Sequence, residues 1–228
     1  MINFLRKFKF FIQGNYIPIK IHNFNKKWYG NNYGGFFLYP NKLNESSVIY
    51  SIGIGEDISF DNEIMYDFGC KVFAFDPTPK SVKWVEKFVL NKNFIFKNIG
   101  IANQKGKKIF FLPKHKNHVS GSIHKIKTID ASDSIELNFD TLSNIMKLNG
   151  HNKIDVLKMD IEGSEYEVIE DIKNFSLDIN QILVEFHPHF EKEGKKKTIH
   201  AIKTLQKMGF KCFGRSTSLL EYSFIKLE

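Results

Sequence analysis

The sequence predicts an α/β protein built on a doubly wound, mostly parallel sheet. From Val48 onward, buried β-rich runs alternate with stretches of helical periodicity. Such alternation puts helices on both faces of a parallel sheet. Size agrees, since 228 residues at about 150 per domain make one domain with elaborations. That domain is expected over residues 46–228, preceded by a basic, aromatic appendage over 1–45 that packs on it.

The elements follow in chain order. In the appendage, which is nearly free of acids, Leu5, Phe8 and Ile12 line one face of a short helix. VIYSIG (48–53) is a buried strand closing on glycine, and Ile64, Met65 and Phe68 then recur at helical spacing up to Gly69. KVFAFD (71–76) is the second strand; Pro79 and Ser81 open a helix carrying Val82, Val85, Phe88 and Val89. FIFKNIGIA (94–102) is the third strand. KKIFFLP (107–113) and SIELNF (134–139) are additional strands, separated by a polar segment with His115, His118, Ser120, Gly121 and Ser122. Asp140 is placed to cap the helix TLSNIMKLNG, which stops on Gly150. IDVLKMD (154–160) is a fourth buried strand, followed by a helix with Tyr166, Ile169 and Ile172. QILVEFH (181–187) is a fifth, followed by a Lys-rich helix around Ile199, Ile202 and Leu205. FKCFG (210–214) and LLEYSFIKL (219–227) close the chain as a hairpin.

Composition excludes several classes of protein. Cys70 and Cys212 belong to no CxxC pair, which rules out a disulfide framework or a zinc ribbon and fits reduced thiols in the cytoplasm. The longest apolar stretches, such as Phe10–Ile12 and Val72–Phe75, fall far short of the roughly 20 residues of a membrane span. Lys7 and Lys9 interrupt what would be the apolar region of a secretory leader. The net charge of +8 suits nucleic acid, a membrane surface or an anionic substrate, and equally a compositional drift toward Lys, Asn, Ile and Phe, so charge alone decides nothing. The basic N-terminus offers a peripheral membrane contact.

In open α/β sheets, ligands bind beyond the carboxyl ends of the strands, where strand order reverses. Gly53 and Gly55 let the backbone turn tightly and approach a ligand without a Cβ between them. Asp76 ends the second strand about 20 residues later, where a carboxylate can accept both hydroxyls of an adenosine ribose. A nicotinamide site would want a glycine at position 58, which is Ile58 here, and Glu56 and Asp57 would repel a pyrophosphate. These acids suit a cofactor with a ribose, no phosphate and an ammonium-bearing tail. S-adenosyl-L-methionine is such a molecule.

SIGIGEDISFD (51–61), VFAFDPTP (72–79), NIGIA (98–102) and DVLKMDIEGSEYEVI (155–169) resemble the FkbM family of S-adenosylmethionine-dependent methyltransferases, as does the lead-in YGGFFLYP (33–40). The resemblance implies a class I methyltransferase fold, Rossmann-like and seven-stranded, with six parallel strands and an antiparallel one supplied by the terminal hairpin. It implies O-methylation of a sugar or glycosylated acceptor, such as a nucleotide sugar or a glycan of surface polysaccharide biosynthesis. Carried over by position, Gly53, Gly55, Glu56 and Asp57 would hold the methionine moiety. Asp76 and Pro77 would lie at the ribose, Asn98, Ile99 and Ala102 would flank the adenine, and Asp160 would face the reactive centre.

Methyl transfer to a hydroxyl needs alignment of donor and acceptor and removal of a proton. Glu185 and His187 lie two apart at a strand end and share a face. His187 is the expected general base, oriented by Glu185 or Asp160, because its unperturbed pKa near 6.5 suits proton uptake. Asp160, Glu185, His187 and His189 offer a divalent ion as an alternative, though a metal-free site is the first expectation. Nucleic-acid methylation is the runner-up activity. The Asn/Asp-Pro-Pro-aromatic motif of base-flipping enzymes would follow the fourth strand, where DIEG (160–163) stands instead. A non-catalytic anionic-surface binder would leave the placement of Asp76, Glu56 and Asp57 unexplained.

Overall fold

The chain is seen in a computed structural model that describes residues 16–88, 91–114, 121–124, 129–190 and 193–226. The expected helix at Leu5–Ile12, and His115, His118 and Ser120, lie outside the described residues. The apolar runs become strands β3 (Val48–Ile52), β4 (Lys71–Phe75), β5 (Phe94–Lys97), β9 (Lys153–Met159) and β10 (Asp178–Glu185), with β11 (Lys211–Arg215) and β12 (Glu221–Ile225) at the end. Helices α1 (Ser59–Phe68), α2 (Pro79–Phe88), α3 (Leu142–Asn149), α4 (Glu165–Asn174) and α5 (Gly194–Lys207) connect them. The strands form one sheet in the order β11-β12-β10-β9-β3-β4-β5. All are parallel except β12, which runs against both its neighbours.

Alternation along the strands divides the core in two. Ile49 and Val156 point to one face, Tyr50 and Leu157 to the other, as a side-chain period of two requires. The first face is covered by α1, α2 and a hairpin of β1 (Lys27–Tyr29) and β2 (Phe36–Leu38), which buries Tyr29, Phe36 and Leu38. The second is covered by α3, α4 and α5 through residues such as Leu142, Val168 and Leu205. Tyr29, Phe36 and Leu38 are thus part of the main core.

Two sequence expectations are corrected. The single strand over 94–102 divides: β5 ends at Lys97, the Ile99 amide bonds the Lys97 carbonyl at 2.9 Å, and β6 (Gly100–Ile101) turns into a separate sheet. There it pairs with β8 (Ile129–Asp140), whose other edge takes β7 (Gly106–Pro113). Glycine is required at position 100 because a Cβ would stand 2.2 Å from the Phe139 ring. The cap of α3 is Thr141, whose hydroxyl accepts from the Asn144 amide, while Asp140 accepts from the Thr141 amide and the Asn144 side chain.

Cys70 and Cys212 are free and buried, and burial pushes the Cys70 thiol up to about 11. Among the described residues no helix is long and apolar enough to cross a membrane.

Candidate active site

The sheet order reverses between β3 and β9, so the carboxyl ends of these strands frame a crevice. A cavity of about 600 Å³ lies there, within the size range of small-molecule sites. Gly53, Gly55, Glu56, Asp57, Asp76, Pro77 and Asp160 all line it. Asn98, Ile99 and Ala102 do not; the break after β5 presents Gly100 and Ile101 to the cavity in their place.

The glycine turn is held by its neighbours on both sides. The Gly53 amide donates to the Phe75 carbonyl, and the Asp160 amide donates to Ile52. Gly53 has φ +73°, and a Cβ there would meet the Asp160 carbonyl oxygen at 1.7 Å, so only glycine lets the two loops approach. Asp76, 4% exposed, accepts from the Gly55 amide with one oxygen and from the Thr78 amide and hydroxyl with the other. Its carboxylate is therefore fixed at the strand end before any ligand arrives.

The two acids of the turn divide their work. Asp57 accepts from the Asn31 side chain and, ahead of α1, from the Ser59 amide. Glu56 forms an ion pair with Lys80 at 3.2 Å. Asn31, Tyr33 and Gly34, from the turn between β1 and β2, complete that wall. The lead-in motif contains Tyr33 and Gly34 but not Asn31, and sequence reasoning gave none of the three a role. It also missed Lys158, which is 4% exposed, lines the cavity and donates to the Gly53 carbonyl. Beneath it, fully buried Asp61 has its carboxyl pushed up by burial and held back by Lys158 and Ser51.

Asp160, Glu185 and His187 come together as the sequence predicts. Parallel register pairs Met159 with Val184, which sets Asp160 beside Glu185. The orientation of His187 differs from expectation. Its Nδ1 is 3.0 Å from Glu165, while Nε2 faces Glu162, Asp160 and Glu185 at 3.5, 3.6 and 3.8 Å. Glu165 is fully buried and also accepts from the Ile161 and Gly163 amides. Glu162 adopts φ +52°, a conformation uncommon outside glycine.

Burial opposes charge on His187, but Glu165, Asp160 and Glu162 overcome it and raise the imidazole to about 10. Burial, then the Asp160 charge, pushes Glu185 up to about 9 against the pull of His187. Asp160 is raised chiefly by burial. These charges favour the protonated imidazole, and His187 is not among the residues that line the cavity, which differs from the free general base expected from the sequence. Ser122, from the polar segment, donates to the Glu162 carbonyl, and Gly121 lines the cavity.

Six parallel strands with one antiparallel strand inserted next to the edge, and a cavity over the switch point, define a class I methyltransferase fold. A family model described as the methyltransferase FkbM domain matches residues 47–212, and the chain belongs to that family. It is 26% identical over 180 residues to the human "Probable methyltransferase-like protein 24", covering 75% of this chain and 43% of that protein. The rat protein of the same name is 26% identical over 175 residues, 72% of this chain and 42% of its own. The chain thus spans less than half the length of these curated relatives. Among solved structures it is similar to methyltransferase FkbM from Methylobacillus flagellatus KT, with a TM-score of 0.49 and 10% identity over 82% of this chain and 45% of that one.

Proposed function

We propose that the chain is an S-adenosyl-L-methionine-dependent O-methyltransferase acting on a hydroxyl of a sugar or glycosylated acceptor. The observation that carries this reading is the meeting, in one ligand-sized cavity, of the bare Gly53–Gly55 turn, the pre-oriented Asp76 carboxylate and the acidic group headed by Asp160. The cofactor supplies a methyl group bonded to a positively charged sulfur. Asp76 binds the ribose hydroxyls, and the Gly53–Gly55 backbone with Glu56 and Asp57 holds the amino-acid end. Gly100 and Ile101, rather than Asn98, Ile99 and Ala102, flank the adenine with Phe139. Asp160 accepts the hydrogen bond of the incoming hydroxyl and so orients its oxygen.

The acceptor is proposed from charge. The cavity loops carry Glu56, Asp57, Asp76, Asp160 and Glu162, whereas basic residues concentrate in the N-terminal stretch, residues 105–127 and Lys195–Lys197. Such a distribution guides an anionic acceptor, such as a nucleotide sugar or an acidic glycan, toward the basic segments, leaving the acidic loops to the cofactor and the neutral hydroxyl. Incubation with methyl-labelled cofactor and a panel of nucleotide sugars, surface glycans and RNA tests this. Label is expected in a sugar hydroxyl. Label confined to RNA overturns the acceptor assignment, and absence of cofactor binding by calorimetry overturns the whole reading.

A further inference from the structure

We infer that Asp160, Glu185 and His187 form a site for one divalent first-row transition ion of the Mn²⁺ class at the acidic end of the cavity. Its binding is independent of the transferase reading; what the ion does for an acceptor rests on that reading.

The argument is geometric. One donor atom from each of the three residues lies within 4.8 Å of the others. His187 Nε2 stands 3.5 Å from Glu162 Oε2, 3.6 Å from Asp160 Oδ1 and 3.8 Å from Glu185 Oε1, all beyond the usual hydrogen-bond length. Ligands about 2.1–2.2 Å from an ion, separated by about 90–120°, lie roughly 3.0–3.8 Å apart. The two edges from His187 fit such a shell.

The imidazole supplies the second observation. His187 is 5% exposed and aims Nε2 into the carboxylates. Its other nitrogen is tied to Glu165, whose oxygens already accept from two backbone amides. Such a carboxylate fixes the hydrogen on Nδ1 and leaves Nε2 to the ion once its own proton is displaced, as carboxylates orient ligating histidines elsewhere. One imidazole nitrogen with two carboxylate oxygens favours Mn²⁺ or Zn²⁺ over Ca²⁺ and Mg²⁺. His189 takes no part in the group. Because Asp160 lines the cavity, the ion's remaining positions open there, where a bound hydroxyl becomes more acidic.

The test uses the full chain, stripped with chelator and titrated with Mn²⁺ under electron paramagnetic resonance. One saturable ion per chain is expected, with selective broadening of the His187 imidazole resonances relative to His22 and His200. Glu185→Gln and Asp160→Asn each weaken Mn²⁺ at least tenfold, whereas Glu63→Gln on the exposed face of α1 leaves it unchanged. If a variant fails to fold, the resonance broadening in the unaltered protein still decides. Lack of saturable binding, or broadening that spares His187, overturns the site. Cofactor binding measured in the same stripped sample separates the two readings: retained cofactor binding without Mn²⁺ binding removes this site alone.

Discussion

At the scale of single residues, the site depends on charges placed before any ligand binds. Asp76 is held by three hydrogen bonds, from the Gly55 amide and from the Thr78 amide and hydroxyl. Asp76→Ala removes the carboxylate offered to the ribose and frees the glycine turn. A hydrogen bond to a charged group contributes about 1.5–3 kcal/mol, so cofactor affinity is expected to fall about ten- to a hundredfold by calorimetry. Unchanged affinity rejects the ribose role. His187 and Glu185 set the pH response. The imidazole rises from 6.5 to about 10 in the folded chain, so its stabilisation is complete below about 6.5 and lost as pH rises through 10. The Glu185 carboxyl rises from 4.5 to about 9, so folding favours its proton and stability falls as pH climbs across that interval. Both groups bind more protons when folded, which gives stability the same negative slope with pH. In metal-free buffer the melting temperature is therefore expected to fall from pH 6 to pH 9; a rise contradicts the environment described for the pair.

At the scale of elements, the contact between the β3 and β9 ends matters most. Gly53→Ala places a methyl group against the Asp160 carbonyl and a side chain at φ +73°. The conformation alone costs about 1–3 kcal/mol, and the overlap forces the two loops apart. At roughly 2–4 °C per kcal/mol for a chain of this size, the melting temperature should drop by about 5 °C or more, with cofactor binding lost. A variant that melts like the parent shows that the loops do not need this approach. The same register that joins these loops brings Asp160 beside Glu185, so element pairing assembles the acidic group.

At the scale of the molecule, the β1–β2 hairpin joins fold to site. Phe36 is buried against Phe60, and the turn before it supplies Asn31, Tyr33 and Gly34 to the cavity. Phe36→Ala should cost about 3–5 kcal/mol by denaturant unfolding and weaken cofactor binding through the displaced turn. Loss of stability with full affinity separates the hairpin from the site. The chain spans less than half of its curated relatives, and the residues that line the cavity run from Asn31 to Ser164.

The sequence by itself determined the alternation of strand and helix, the glycine turn, Asp76 at a strand end, and Glu185 and His187 on one face of a strand end. Each of these follows from local periodicity, which acts along the chain; the parallel pairing of β9 with β10 brings Asp160 to them. Only the tertiary structure decided which atoms meet. Glu165 rather than Asp160 or Glu185 holds His187 Nδ1, the third strand breaks at Lys97, and Lys158 reaches the Gly53 carbonyl. Hydrogen-bond partners and pKa shifts arise from distances of a few ångströms between segments far apart in sequence. Periodicity carries no information at that range. Glu165, Asp160 and Glu162, packed around one buried ring, raise the pKa of the imidazole expected to act as the base.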